Sequence, residues 1–360
     1  MFDWVLPFIA ILGLLIFVHE LGHFIAAKRS GIKVEKFSLG FPPNLISKKI
    51  GETEYCIGVI PLGGYVKMKG DIPDFADDDT EPKGEPGEFM AAPVWKRSIV
   101  ISAGPIMNFV AAAVLFFITI WAWGQPDVRP NSTEIGAVMP DTPAQHAGLH
   151  EGDIIVAVDG QPFGDFESMA EYIRGKPDQE VVVTYRRKGI DSLVTMKTES
   201  LQYTDTLGVD RTRGYIGVEP LFDFHPTGFF QALQSAPKAT VFVSAVTLDF
   251  LWKLITRQES IKKIGGPVMI ADQAGKAVRR GLPYLFNLAA FLSVNLAILN
   301  ILPIPVLDGG HLVFLSIEAI RRRPIPFKKR LFWQQIGMGL LLLLMIFVTY
   351  NDIARLLMGG

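Results

Sequence analysis

Four stretches of this 360-residue chain are apolar and long enough to cross a bilayer, for which about 20 residues suffice. The first runs from Phe2 to Ala27, uncharged apart from Asp3 and Glu20, and Lys28 and Arg29 close it. The second, Ser98 to Trp123, is uncharged and ends among tryptophans, which suit a headgroup interface. The third is uncharged from Leu285 to Leu307, although Pro303 and Pro305 interrupt it. The fourth centres on GLLLLLMIFV between Phe332 and Tyr350. The pattern predicts a polytopic α-helical membrane protein with about four transmembrane helices, at 1–27, 98–123, 285–320 and 331–357.

Between these stretches the period changes. Residues 28–97 hold a β-rich apolar run, Tyr55 to Lys69, with Gly63-Gly64 between its halves, which reads as a hairpin turning at the glycines. Such a run beside a membrane helix suits a membrane-associated loop, or an edge strand offered to an extended partner. Asp71 to Glu88 is acidic and rich in Pro and Gly, a solvated linker. From about 133 to 199 the composition is that of a soluble α+β domain. Residues 200–284 follow it, and apolar spacing over 229–258 predicts an amphipathic helix lying in the membrane interface. His146 and His150 fall in a turn and read as surface residues.

Charge sets the orientation. Lys28, Arg29, Lys33, Lys36, Lys96, Arg97 and the basic cluster from Arg321 to Arg330 lie in loops that share one side if there are four spans. The positive-inside rule makes that side cytoplasmic and puts 133–199 outside. Arg279 and Arg280 point the other way but are outnumbered. Net charge of −1 gives no reason to expect a nucleic-acid partner, and the single cysteine, Cys56, leaves no internal disulfide and no Cys-based zinc site. An N-terminal signal peptide is the weaker reading of the first stretch, which lacks a basic n-region and a small-x-small cleavage site.

The chemistry sits in the first span. In His19-Glu20-Leu21-Gly22-His23 the two histidines are four apart, so on a helix they share a face and both reach one Zn²⁺ at about 2.0–2.1 Å. Glu20 beside them is placed to take a proton from a metal-bound water. Glu20 precedes Lys28 by eight residues, which puts the site roughly 12 Å below the surface at 1.5 Å per residue. Ionisable groups at such depth are costly and mark function. A catalytic zinc takes three protein ligands, and the third candidates are Asp308, next to the proline break, and His311.

These motifs together resemble a known family. AGLHEGDIIVAVDGQPF, FESMAEYIRG and VVVTYRRKG are similar to bacterial PDZ domains. With HELGH, GGYVKM, AGPIMN and NILPIPVLDGGH, they resemble the site-2 proteases (peptidase M50), and among them the regulator-of-sigma-E protease group. The resemblance covers nearly the whole chain. It implies a bacterial inner-membrane zinc metalloprotease that cuts transmembrane segments of single-span membrane proteins. It implies His19, His23 and Asp308 as zinc ligands and Glu20 as general base. Asn300, Asn108, Tyr65, Val66 and Pro303 become candidates for handling the unwound substrate, and the extracytoplasmic PDZ domain for binding a peptide terminus. Many members of that group carry tandem PDZ domains; one clear copy stands here, with Gly214 to Phe222 as a remnant or a linker strand. Two alternatives remain, a non-catalytic membrane zinc-binding or transport protein and a membrane-anchored PDZ scaffold. Both leave Glu20 without a role, and the carrier would want ionisable residues in spans two and four, whose cores have none.

Overall fold

The computed structural model describes residues 5–70, 84–204, 210–261 and 264–358, so most of the acidic linker lies outside the described residues. In chain order, α1 (Val5–Arg29) is followed by β1 (Val34–Ile50), β2 (Thr53–Met68) and α2 (Val94–Ala122). A second compact unit, Trp123–Thr227, holds β3 (Gln125–Val128), β4 (Ile135–Val138), α3 (Pro143–His146), β5 (Ile154–Val158), β6 (Gln161–Pro162) and α4 (Phe166–Arg174). It continues with β7 (Glu180–Arg187), β8 (Ile190–Lys197), β9 (Glu199–Thr204), β10 (Asp210–Tyr215), β11 (Val218–Pro220) and β12 (Phe222–His225). The chain then returns to the first unit through α5 (Phe229–Ile255), α6 (Pro267–Arg280), α7 (Leu282–Ile301), α8 (Asp308–Arg321) and α9 (Phe327–Met358).

Four helices are long and apolar enough to cross a membrane: Val5–Arg29, Val94–Ala122, Leu282–Ile301 and Lys328–Ala354. Within the first unit, α2 is the hub and packs on α1, α5, α7 and α8. Small residues let the first pair close up. A Cβ on Gly22 would stand 2.3 Å from the Ala103 carbonyl oxygen, so the two backbones approach as only glycine permits. At the other end Arg97 is buried and gives both Nη atoms to the Glu318 carboxylate, at 3.0 and 2.6 Å. That fork fastens α2 to α8. Phe229–Ile255 is helical; a stripe of Ala232, Ala236 and Thr240 is buried, and α5 packs on α2 and α7.

Three expectations need correcting. The segment expected as one helix over 285–320 is two, because residues 302–307 are not helical. Leu302 is extended (φ −59°, ψ 143°), as a residue before proline prefers, and Pro303 and Pro305 have no N–H to continue the ladder. The β-rich loop turns at Gly51-Glu52, not at Gly63-Gly64. Gly51 adopts the left-handed conformation the tight turn needs (φ +63°), whereas Gly64 lies inside β2. The bent ribbon sets Lys36 to Leu39 between Glu54–Ile57 on one side and Gly64–Lys67 on the other.

The third correction is the extent of the soluble unit, which continues well past 199. Ile216 is buried in the same core as Ile135, Ile155, Val158, Met169 and Val181, and β11 pairs with β4. The Gly214 to Phe222 segment therefore completes this unit's own core and is neither a linker nor a second domain. Its main sheet runs β6-β5-β7-β8, covered by α4, whose first turn is capped by Asp165 accepting from Ser168 N–H.

Candidate active site

α1 presents His19 and His23 one turn apart, both 7% exposed, toward α2 and the start of α8. His23 Nδ1 lies 2.8 Å from the Val100 carbonyl oxygen. A carbonyl can only accept, so Nδ1 holds the ring proton and Nε2 offers its lone pair. That nitrogen is 3.2 Å from His19 Nε2 and 3.5 Å from Asp308 Oδ2, and His19 Nε2 is 3.1 Å from the same oxygen. Tetrahedral bonds of about 2.05 Å put two ligand atoms about 3.3 Å apart. The three observed separations straddle that value. Asp308 Oδ2 is moreover buried without a hydrogen-bond partner, a negative atom turned to a point that needs a cation. The donor set fits zinc, and among the described residues these three form the cluster that could hold a metal ion; His311 is not part of it.

Around the three ligand atoms lies a cavity of about 930 Å³, near the upper end of the range for ligand sites. Glu20, Tyr65, Val66, Lys67, Asn300, His311 and Arg330 line it with them. Glu20 lines the cavity with Tyr65 and Val66, which sets the ribbon against α1 beside the three candidate ligands. A Cβ on Gly64 would meet the Ser38 carbonyl oxygen at 2.7 Å and Glu20 Cγ at 3.4 Å, so this strand runs against the site because residue 64 has no side chain. Gly64 to Lys67 pair with Lys36 to Leu39 on one side. Among the described residues no strand pairs with them on the other.

Of the residues expected to handle substrate, Tyr65, Val66 and Asn300 line the cavity. Asn108 does not; it is fully buried, with its amide nitrogen placed 3.1 Å from His19 Nδ1 and its oxygen left without a partner. With a metal on Nε2, His19 carries its proton on Nδ1, and an amide turned over satisfies both groups, its oxygen accepting from Nδ1–H. Pro303 is exposed and outside the lining, and its role is to end α7. Three residues were not legible as site residues. Gly104 leaves the space the imidazoles fill, since a Cβ there would sit 2.3 Å from His23 Nε2. Ser293 Oγ donates to the Asn108 backbone carbonyl oxygen at 2.8 Å. Arg330 lies 2.7 Å from His311 Nδ1. Only the glycine had a signal, its place in AGPIMN.

The profile of Peptidase family M50 matches residues 7–344, nearly the whole of this architecture. The chain belongs to this family. The M50 chain is 35% identical over 372 residues to the Atu1380 protein of Agrobacterium fabrum, covering 98% of this chain and 96% of that one. It is 32% identical over 425 residues to the regulator of sigma-W protease RasP of Bacillus subtilis, covering 98% of each. The zinc metalloprotease RasP of Bacillus licheniformis is likewise 32% identical over 425 residues, covering 98% of this chain and 99% of that one. Among solved structures, the PDZ domain of an SdrC-like protein from Listeria monocytogenes covers 26% of this chain, at 24% identity and a TM-score of 0.21, with 93% of that domain matched. This M50 chain is thus a zinc metalloprotease and a multi-pass membrane protein, and the carrier and scaffold alternatives fall away.

Proposed function

We propose that this metalloprotease cuts peptide bonds within the membrane, in transmembrane segments of single-span proteins. The observation that carries the proposal is the position of His19, Glu20 and His23 inside a 25-residue apolar helix, with Asp308 brought to them by α8. His19, His23 and Asp308 would hold Zn²⁺, which supplies Lewis acidity to polarise a peptide carbonyl and acidify water. Glu20, which lines the cavity beside them, accepts the proton of the attacking water and passes it to the departing amine.

A transmembrane helix hides its carbonyls in i→i−4 bonds and must unwind before it can be cut. The open edge Gly64 to Lys67 would take the unwound segment as an added strand, and Asn300 would bond a freed backbone group. The ribbon suits a membrane-associated place. The Pro61 carbonyl oxygen would lie 3.2 Å from a Cβ on Gly13, sixteen residues back from Arg29, and Leu45, Ile46, Ile57, Val59 and Ile60 are exposed. On this reading the protein lies in a bacterial inner membrane, with the Trp123–Thr227 unit as an extracytoplasmic PDZ domain that binds a peptide terminus or excludes bulky outer domains. Mass spectrometry of fragments from a single-span peptide in liposomes tests the reading. It expects cuts within the apolar segment; cuts confined to the flanks would refute it.

A further inference from the structure

Arg330 Nη2 lies 2.7 Å from His311 Nδ1. A guanidinium has five donors and no acceptor, so Nδ1 must be the unprotonated nitrogen and the ring proton must sit on Nε2. His311 is therefore a neutral imidazole with a fixed Nε2–H, the opposite tautomer to His23. Among the described residues Arg330 is the only hydrogen-bond partner of the ring, which lines the cavity together with Glu20, His19 and Asn300. His311 is three residues after Asp308 on α8, on the side of the helix that carries the carboxylate. A nitrogen that bears its proton cannot bind a metal, which agrees with the exclusion of His311 from the cluster. What it can do is donate.

We propose that His311 is a catalytic residue: its Nε2–H donates a hydrogen bond to the oxygen of the peptide carbonyl under attack. This rests on reading the cavity as the site of peptide cleavage. As the carbonyl carbon becomes tetrahedral, its oxygen gains negative charge, and a donor fixed in advance binds that oxygen better than the ground-state carbonyl. Arg330, itself 9% exposed, is the positioning residue. It locks the tautomer, and its charge behind the ring strengthens the N–H as a donor. A tie that merely joined α8 to α9 would need neither the tautomer nor the cavity.

The test uses the full-length protein in liposomes with a single-span peptide, comparing wild type with His311→Ala, His311→Gln and Arg330→Gln. Zinc content, kcat, KM and the inhibition constant of a phosphinic peptide are measured; the phosphinate oxygens carry the charge that the carbonyl oxygen acquires. His311→Ala should keep its zinc and lose kcat by about 10²–10³-fold. KM should stay within about two-fold, because the lost interaction is made mainly in the transition state. The phosphinic peptide should weaken in step with kcat. His311→Gln, which keeps an N–H donor, should recover part of both, and Arg330→Gln should show a smaller loss of both. Zinc loss in both His311 variants would make the ring part of the metal site and overturn the inference. So would an unchanged kcat, or a reduced kcat with undiminished phosphinic affinity. A wild-type chain that holds zinc and cuts no peptide would refute the proteolytic reading itself, and this inference with it.

Discussion

Asn108 stands directly behind His19, its side-chain amide nitrogen 3.1 Å from Nδ1 and its backbone carbonyl oxygen accepting from Ser293 Oγ at 2.8 Å. α2 thus orients an α1 side chain while α7 steadies α2. Outer partners of this kind typically contribute 10–100-fold to metal affinity. Asn108→Leu should weaken zinc binding by about that factor, read by competition with a chelator. Asn108→Asp, which keeps an acceptor, should weaken it less. Unchanged zinc affinity with a raised KM would return Asn108 to substrate handling.

Gly104 gives a steric prediction. A methyl group there would meet His23 Nε2 at 2.3 Å, and the ring cannot yield without breaking its 2.8 Å bond to Val100. Gly104→Ala should lower both zinc affinity and cleavage. The cost, about 1–3 kcal/mol for overpacking, should also appear as a lower Tm. Full zinc occupancy and wild-type cleavage in Gly104→Ala would show that α1 and α2 separate more easily than their contacts suggest.

These two residues show what the sequence could carry and what it could not. The three residues that the structure brings together were legible because the spacing of four between His19 and His23 is local helix geometry, and Asp308 stood out beside a proline break. Asn108 was singled out for substrate, whereas the structure sets its amide beside His19; nothing local says which side of α2 faces that ring. The contact of Arg330 with His311 joins two helices and has no local pattern. Gly63-Gly64 misled because paired glycines also serve close approach, here to Glu20, as well as turns. Val218–Pro220 was ambiguous because three strand residues gain meaning only from Ile135–Val138 beside them.

The soluble unit should show a pH response of defined sign. Burial alone would push the Asp153 carboxyl up, but two Arg187 hydrogen bonds at 2.7 Å and the His150 N–H at 2.8 Å outweigh it and hold the group below its usual value. The stabilisation is therefore present above the unfolded value near 3.9 and is lost as pH falls through the lower folded value. Arg187→Met should destabilise the unit by about 1–3 kcal/mol at pH 7. The difference should shrink in strong acid, followed by hydrogen exchange of the β5 and β7 amides in the full chain. A difference independent of pH would mean that Arg187 acts through packing alone.

The same unit offers a test of gating. Its ends meet: Gln125 N–H donates to Thr227 Oγ1, and β3 pairs with β12. A short flexible linker can therefore replace the unit between these strands. The deletion should keep zinc and cut a small truncated substrate at the wild-type rate, yet lose discrimination against an uncut substrate with a large outer domain. Continued rejection of the bulky substrate by a zinc-loaded deletion would rule out a gate.

The proposed chemistry divides the roles between three residues that would hold zinc, His19, His23 and Asp308, and one that would move the proton, Glu20. Zinc content and cleavage of a single-span peptide, measured together on Glu20→Gln and Asp308→Ala, test it most directly. Glu20→Gln should keep its zinc and lose cleavage by at least about 10²–10⁴-fold, the usual worth of a general base. Asp308→Ala should lose both. Loss of zinc from Glu20→Gln together with its retention in Asp308→Ala would contradict the account.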